Sequence, residues 1–320
     1  MTGGAIRVLR PGLATTVQDI GRWGYQALGV PVAGPMDAFS HRLANLLVGN
    51  DHRAATLEVT LIGPELEFDA ETTVVVTGAD FDVTADGQWM EVGTAFPVRR
   101  GTRVRFARRR AGARAYIGVA GGIDTPPVLG SRATHVLTGM GGHEGRALAA
   151  GDVLPIGVRP AGVVPVRRAI GFVLPTMGRA RLRVLAGPQA DWFSEEARVA
   201  FRSTSFRISP RSNRMGYRLE GPPLPRARSG EPISEPVAIG AIQVPNAGEP
   251  ILLMADRQTA GGYPKIGTVI AADLPLAAQL APGDAIDFDF CGRQEAAAAL
   301  IARERQLLRY TDLRGDERAR

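Results

Sequence analysis

Apolar positions along this chain come in short runs broken by Gly, Pro and Asp, a pattern of strands more than of long helices. Residues 6–9 alternate as a strand that Pro11-Gly12 ends. The runs LEVTLIGPELEF (57–68), TTVVVTGADFDVTADG (72–87), TRVRFA (102–107) and RAYIGVAGG (114–122) are β-branched and punctuated by turn residues. Residues 251–253 read as a short buried strand. Helical signal is sparse. Asp37 has the type and place of an N-cap for AFSHRLANLLVGN, in which Leu43, Leu46 and Leu47 share a face and Gly49 supplies the stop. DWFSEEARVAF (191–201) predicts a short amphipathic helix, and the Ala/Leu/Glu/Arg-rich residues 293–308 another, followed by a loose tail from Tyr310. Residues 15–37 lack either period and predict irregular structure, which in a compact domain is often functional.

A turn of Gly plus Thr or Asp followed by an apolar strand recurs in RRGTRVRF (99–106), AAGDVLPI (149–156) and APGDAIDF (281–288), and LEVTLIGPEL (57–66) is echoed by LRVLAGPQ (182–189). These echoes suggest two β modules of related plan joined near residues 158–169, VRPAGVVPVRRA. The predicted organisation is mainly β, of barrel or sandwich type: a first subdomain over 1–165, a second over 166–292, and a C-terminal helix and tail over 293–320.

Composition narrows the function classes. The 320 residues are 45% hydrophobic and 22% charged, as in ordinary globular proteins. No apolar run is long enough for a bilayer, MTGGAIRVLRPG lacks a signal-peptide core, and the single Cys291 excludes an internal disulfide framework or a cysteine-rich metal site. A reducing cytoplasm is the expected compartment. The net charge of +6 raises nucleic acid, but the arginines are dispersed, with small clusters at 108–110, 167–168 and 314–320, and no recognition helix, zinc finger or aromatic RNA-binding signature accompanies them. Neither nucleic acid nor membrane is expected; an anionic substrate or an acidic partner subunit suits the charge.

The candidate chemistry centres on residues 254–268, MADRQTAGGYPKIGT. Asp256, Arg257, Gln258, Tyr263 and Lys265 gather there around Gly261-Gly262, whose small size permits close approach to a ligand. Lys265 is the one lysine among 38 basic residues. A chain that uses Arg everywhere else and keeps Lys here has reason to need a compact ammonium, the alternative being a surface lysine in a connecting loop. SNRMGYRLEG (212–221) offers Asn213, Arg214 and Tyr217 for carboxylate or amide recognition. GPMD places Asp37 at a helix start whose N–H groups attract anions. His143 and Glu144 in GMGGHEGR could do acid–base work or steady the loop. The four histidines, His41, His52, His135 and His143, lack metal-ligand spacing, and no phosphate-binding GxxxxGK[ST] loop or GxSxG nucleophile elbow is present.

In order along the chain, VQDIGRWGYQALGVPVAGPMD, LANLLVGN, LEVTLIGP, VTGADF, GVAGGID, PPVLGSRATH, GMGGHEGR, SNRMGYRLEG, AIQVPNAGEPILLMADRQTAGGYPKIGTVI and LAPGD resemble one family over about residues 5–290. It is the biotin-dependent carboxyltransferase family called allophanate hydrolase subunit 2, with KipA proteins and the C-type subunit of the prokaryotic 5-oxoprolinase, similar also to half of the carboxyltransferase domain of urea carboxylase. The resemblance implies a cyclophilin-like β-barrel architecture of two subdomains. It implies a KipI-like partner (allophanate hydrolase subunit 1, or the B-type subunit of 5-oxoprolinase), with which the chain would build a composite site, joined by a third catalytic subunit or a biotin carboxylase. The implied activities are ATP-dependent opening of 5-oxoproline to L-glutamate, or carboxyl transfer from carboxybiotin to urea or a related amide; a regulatory role as antagonist of a kinase-inhibiting partner is a reading from another class. The chain has no ATP-grasp signature, and Lys265 lacks the Met-Lys-Met context of biotin attachment, so ATP or carboxybiotin would come through partner subunits and no cofactor is expected on this chain alone. Within that frame, Lys265 and Arg257 would stabilise negative charge, Asp256 would orient or deprotonate the substrate nitrogen, Gln258 and Tyr263 would give neutral hydrogen bonds, and Asn213 and Arg214 would line the same cleft.

Overall fold

The computed structural model describes residues 3–159, 174–228, 230 and 232–316, with side chains as far as residue 309. Residues 160–169 of the expected join, and with them the 165/166 boundary, lie outside the described residues. Two compact units emerge: Met1–Arg22, Ala33–Leu174 and Glu304–Arg320 form the first, Trp23–Val32 and Pro175–Arg303 the second.

The first unit holds strands β1 (Ala5–Arg10), β2 (Ala14–Gln18), β3 (Thr56–Thr60), β4 (Glu65–Phe68), β5 (Thr72–Ala85), β6 (Gln88–Met90), β7 (Phe96–Val98), β8 (Arg103–Val119) and β9 (Val153–Pro155), with helix α1 (Ala38–Leu47) between β2 and β3. They make one nine-stranded sheet ordered β2-β3-β8-β4-β1-β9, to which β5 adds through β8, and β6 and β7 through β5. The unbroken apolar run TTVVV is explained by burial of β5 on both faces. Val74 and Val76 enter the main core with Ile6, Leu57, Phe68 and Ile117, whereas Val75 faces the helix side with Leu43, Leu47 and Tyr116. Asp37 caps α1, its carboxylate accepting from Ser40 N at 2.9 Å and Ser40 Oγ at 2.6 Å. Residues 15–18, expected to be irregular, belong to β2, paired to β3 from Ala14–Thr60 to Gln18–Thr56; the polar TTVQ run hid a buried strand.

The second unit holds β10 (Arg179–Ala186), β11 (Phe206–Ile208), β12 (Gly216–Glu220), β13 (Glu235–Pro236), β14 (Ala241–Gln243), β15 (Ile251–Leu253), β16 (Ala260–Gly261), β17 (Lys265–Val269) and β18 (Ala285–Phe290), with helices α2 (Glu195–Ser203) and α3 (Leu274–Ala278); helix α4 (Arg293–Asp316) begins in this unit and passes into the first at Glu304. Seven strands close a barrel in the order β10-β17-β14-β15-β12-β11-β18, and β13 pairs separately with β16. The mainly β, barrel-containing fold expected from the sequence is thus present. Along β12, Tyr217 and Leu219 are buried while Arg218 and Glu220 are exposed, so one side of the strand belongs to the core and the other to the outer face. The predicted amphipathic helix over 191–201 is divided: a single 3-10 turn, Ala190–Trp192, precedes α2, which starts only where Ser194 Oγ accepts from Ala197 N. Its Phe201 stacks on Phe288 with ring centroids 4.6 Å apart. The backbone of α4 continues through Asp316 where a loose tail was expected from Tyr310; Leu, Arg and Asp are all compatible with further helical turns.

Candidate active site

The site grows from the outer face of the barrel. Strand register sets Gly216 beside Leu253, Arg218 beside Ile251 and Gln243 beside both Ile251 and Lys265, which aligns these residues on one side of four neighbouring strands. A cleft of about 160 Å³ opens over this wall. Ile251, Leu253 and Met215 supply its apolar lining, Gln243, Gln258 and Asn213 its amides, and Arg211 and Arg218 its cations, with Tyr263 as its phenol. Gln258 Nε2 donates to Gln243 Oε1 at 3.2 Å, tying the loop after β15 to β14.

Of the residues read from the sequence, Asn213, Gln258 and Tyr263 line this cleft together. The others are engaged around it. Arg214 grips Asp256 with a two-point fork, Nε to Oδ2 at 2.9 Å and Nη2 to Oδ1 at 3.0 Å, so both carboxylate oxygens of Asp256 are held by a guanidinium. Arg257 donates through Nε to Val237 O at 3.1 Å; burial holds its pKa below the usual arginine value, and among the described residues no carboxylate pairs with it. Lys265 is 5% exposed, with Nζ 2.6 Å from Glu235 Oε1. Gln189 ties this pair together, donating to Glu235 Oε1 at 2.8 Å and accepting from Lys265 N at 3.1 Å. The Glu235 carboxyl is held below its ordinary range by Lys265 first and Gln189 second. The ammonium therefore fastens β17 to β13 as observed. Tyr217 points away from this set: it is buried, its hydroxyl donating to Leu280 O at 3.4 Å.

Gly261 and Gly262 do not adopt the left-handed backbone that a sharp glycine turn would use. Gly261 lies in β16, and a Cβ there would stand 2.7 Å from Gln243 Nε2 and 3.2 Å from Gln258 Nε2. The glycine is needed for closeness to the two amides.

The remaining candidates lie in the first unit. Three N–H groups at the start of α1 are already taken: Met36 N by Glu58 Oε2, Asp37 N by the Tyr116 hydroxyl and Ser40 N by Asp37 itself. His143 and Glu144 join an ionic turn. Arg146 bridges Glu144 at 2.6 Å and Asp152 at 2.7 Å, His143 Nε2 stands 3.5 Å from Asp152 Oδ1, and the Arg146 guanidinium holds the Asp152 carboxyl down to about 2. The glycines of GMGGHEGR have left-handed backbone, and at Gly141 and Gly142 packing adds to it, since side chains there would collide with Ala133 O and Thr134 Oγ1.

Sequence reasoning missed Gln243, Arg211 and Arg218 in the cleft and Glu235 and Gln189 beside Lys265. An amide inside the otherwise apolar AIQV run was the one available signal for Gln243. Chemically, a wall of amides with guanidinium groups beside it suits a small planar substrate that carries a carbonyl and a negative charge.

The family model for the carboxyltransferase domain, subdomain A and B, matches residues 28–290. The chain belongs to that family. Among its curated relatives, the C-type subunit of the Escherichia coli 5-oxoprolinase is 40% identical over 294 residues, covering 92% of this chain and 94% of that protein. Urea amidolyase of Saccharomyces cerevisiae is 38% identical over 302 residues, covering 89% of this chain and 16% of the much longer yeast protein. The crystal structure of the Kluyveromyces lactis urea amidolyase superposes with a TM-score of 0.89 at 34% identity, over 97% of this chain and 20% of that one. This carboxyltransferase-type chain therefore resembles one relative from end to end and another as a segment.

Proposed function

We propose that this carboxyltransferase-family chain is the C-type subunit of an ATP-dependent 5-oxoprolinase, acting with a KipI-like subunit and a third, catalytic subunit to open 5-oxoproline to L-glutamate. The observation that carries the reading is the end-to-end likeness to the C-type subunit of 5-oxoprolinase, against the segmental likeness to urea amidolyase. The cleft agrees in chemistry. Its amide groups offer hydrogen bonds to a lactam, and Arg218, for which the described residues provide no carboxylate, offers a charge partner to the substrate's own carboxylate. Arg257, dehydrated and without an acidic partner among the described residues, is the second cation available to developing negative charge. Asp256, held by Arg214, serves the loop's position, and Lys265 with Glu235 fixes β17 beneath the cleft.

ATP, bound on partner subunits, supplies the driving force for amide opening; this chain's residues bind and orient. Carboxyl transfer to urea or a related amide, with carboxybiotin delivered by a partner, is the second reading, favoured by the superposition on urea amidolyase. Affinity capture of the tagged chain from its native lysate separates the two. Recovery with a KipI-like chain and a large subunit free of biotin, with 5-oxoproline-dependent ATP hydrolysis, is the expected outcome. Recovery with a biotinylated carboxylase overturns it in favour of carboxyl transfer. Tight binding to a KipI-like chain without turnover of either substrate would leave a regulatory antagonist.

A further inference from the structure

Gln243 carries the least explained polar group of the barrel unit. The residue is 1% exposed, lies on β14 and lines the cleft. Its Oε1 accepts from Gln258, but its Nε2 is buried without a hydrogen-bond partner among the described residues. A buried amide donor left unmade is costly, and native proteins seldom keep one without a use. Turning this amide over alone would bring the two NH₂ groups of Gln243 and Gln258 face to face, and turning over both would leave the buried Gln243 oxygen unmet in place of the nitrogen, so in every arrangement one polar atom of Gln243 lacks a partner within the pair. Space in front of this donor is kept by Gly261, where any β-carbon would come within 2.7 Å of it. Since Gly261 has no left-handed backbone, the absent side chain cannot be attributed to conformation.

We propose that Gln243 is a ligand-binding residue whose Nε2 donates to the carbonyl oxygen of a small amide or lactam, while Gln258 holds its other end and Arg218 faces the ligand's negative group. The inference rests on the amide-substrate reading above, but it concerns this chain's own cleft and needs no turnover. It assigns Gln243 discrimination between a carbonyl-bearing ligand and its reduced analogue, because a site built around a buried donor rejects a ligand that leaves the donor unpaired.

Titration calorimetry on the full-length chain tests it, with 5-oxoproline, urea and cyclopentanecarboxylate as probes; cyclopentanecarboxylate keeps the ring and carboxylate, lacks the lactam and carries no ammonium. The wild-type chain is expected to bind 5-oxoproline at least about tenfold more tightly than cyclopentanecarboxylate. Gln243→Met keeps the length of the side chain, removes the donor and buries no charge, so it should erase that preference while the melting temperature stays near wild type. Gly261→Ala, which fills the space before Nε2, should weaken 5-oxoproline in the same sense. Binding of urea and not 5-oxoproline, lost in Gln243→Met, would retain the Gln243 assignment and remove the oxoprolinase reading. Unchanged 5-oxoproline affinity in Gln243→Met, or a wild-type chain that binds no carbonyl probe, would overturn the assignment.

Discussion

His41 lies wholly inside the first unit, its Nδ1 2.9 Å from Thr56 Oγ1 and its Nε2 without a hydrogen-bond partner among the described residues. Burial pushes its pKa from 6.5 to about 4, against the opposing pull of Asp19 and Glu58. Its pKa is thus lower in the folded chain than in the unfolded one. Between pH 6.5 and 4 the unfolded chain binds a proton that the folded chain refuses, so stability is full above 6.5 and falls as the pH drops, by up to about 3 kcal/mol at pH 4. Chemical denaturation of wild type and His41→Asn across that window checks this: the wild-type curve should slope and the variant's should be flatter by that amount. Asp152, whose carboxyl is held down to about 2 by Arg146, loses its contribution mainly below about pH 5, so its effect adds to that of His41 only at the acid end of the window. Individual residues were legible from the sequence by oddity, not by partnership. Lys265 stood out as a lone lysine, yet Glu235, which faces it, sits thirty residues earlier in the two-residue strand β13, whose sequence has no distinguishing pattern, and only the folded chain brings the two together. Histidine spacing likewise argued against a metal site but could not reveal a buried, neutral imidazole.

At the scale of elements, α1 rests directly on β8. A Cβ at Gly118 would lie 2.8 Å from Ala44 O and 3.1 Å from Ala44 Cβ, so the helix sits as close as the backbone allows. Gly118→Ala should therefore lift α1 from the sheet and cost about 1–3 kcal/mol, read as an earlier denaturation midpoint with an unchanged denaturant slope. The helix itself was legible, down to the Asp37 cap and the Gly49 stop, because capping chemistry is local. Strands with alternating or continuous apolar runs were legible too. β2 was not, since Thr15, Thr16 and Gln18 are polar yet buried: Thr15 donates to Pro11 O, and Gln18 Nε2 donates to Thr16 Oγ1 beside it and to Thr134 O, a partner distant in sequence. The turn pattern seen in RRGTRVRF, AAGDVLPI and APGDAIDF did precede strands in each case, β8 and β9 of the nine-stranded sheet and β18 of the barrel. The recurring motif is turn chemistry shared by two architectures.

For the whole molecule, each unit has apolar cores of its own: Ile6, Leu57, Phe68 and Ile117 in the first, Leu182, Leu219, Ile242 and Phe288 buried in the second. Two cooperative units are expected, so scanning calorimetry should give a calorimetric enthalpy larger than the van't Hoff value, and a single transition with equal enthalpies would contradict it. The overall class could be read from the sequence because strand-forming runs and turns dominate it; barrel closure could not. That closure depends on β10 and β18 lying side by side in parallel, from Arg179 beside Ala285 to Val184 beside Phe290. The first and last strands of the barrel are thus each other's neighbours, and the order of synthesis matters. As the chain leaves the ribosome, β10 emerges early with both edges bare, because its neighbours are β17 and β18, and the second edge stays uncovered until the span to Phe290 has been made. The growing barrel is an open, adhesive sheet for most of its translation, and chaperone dependence should end abruptly when APGDAIDF clears the exit tunnel.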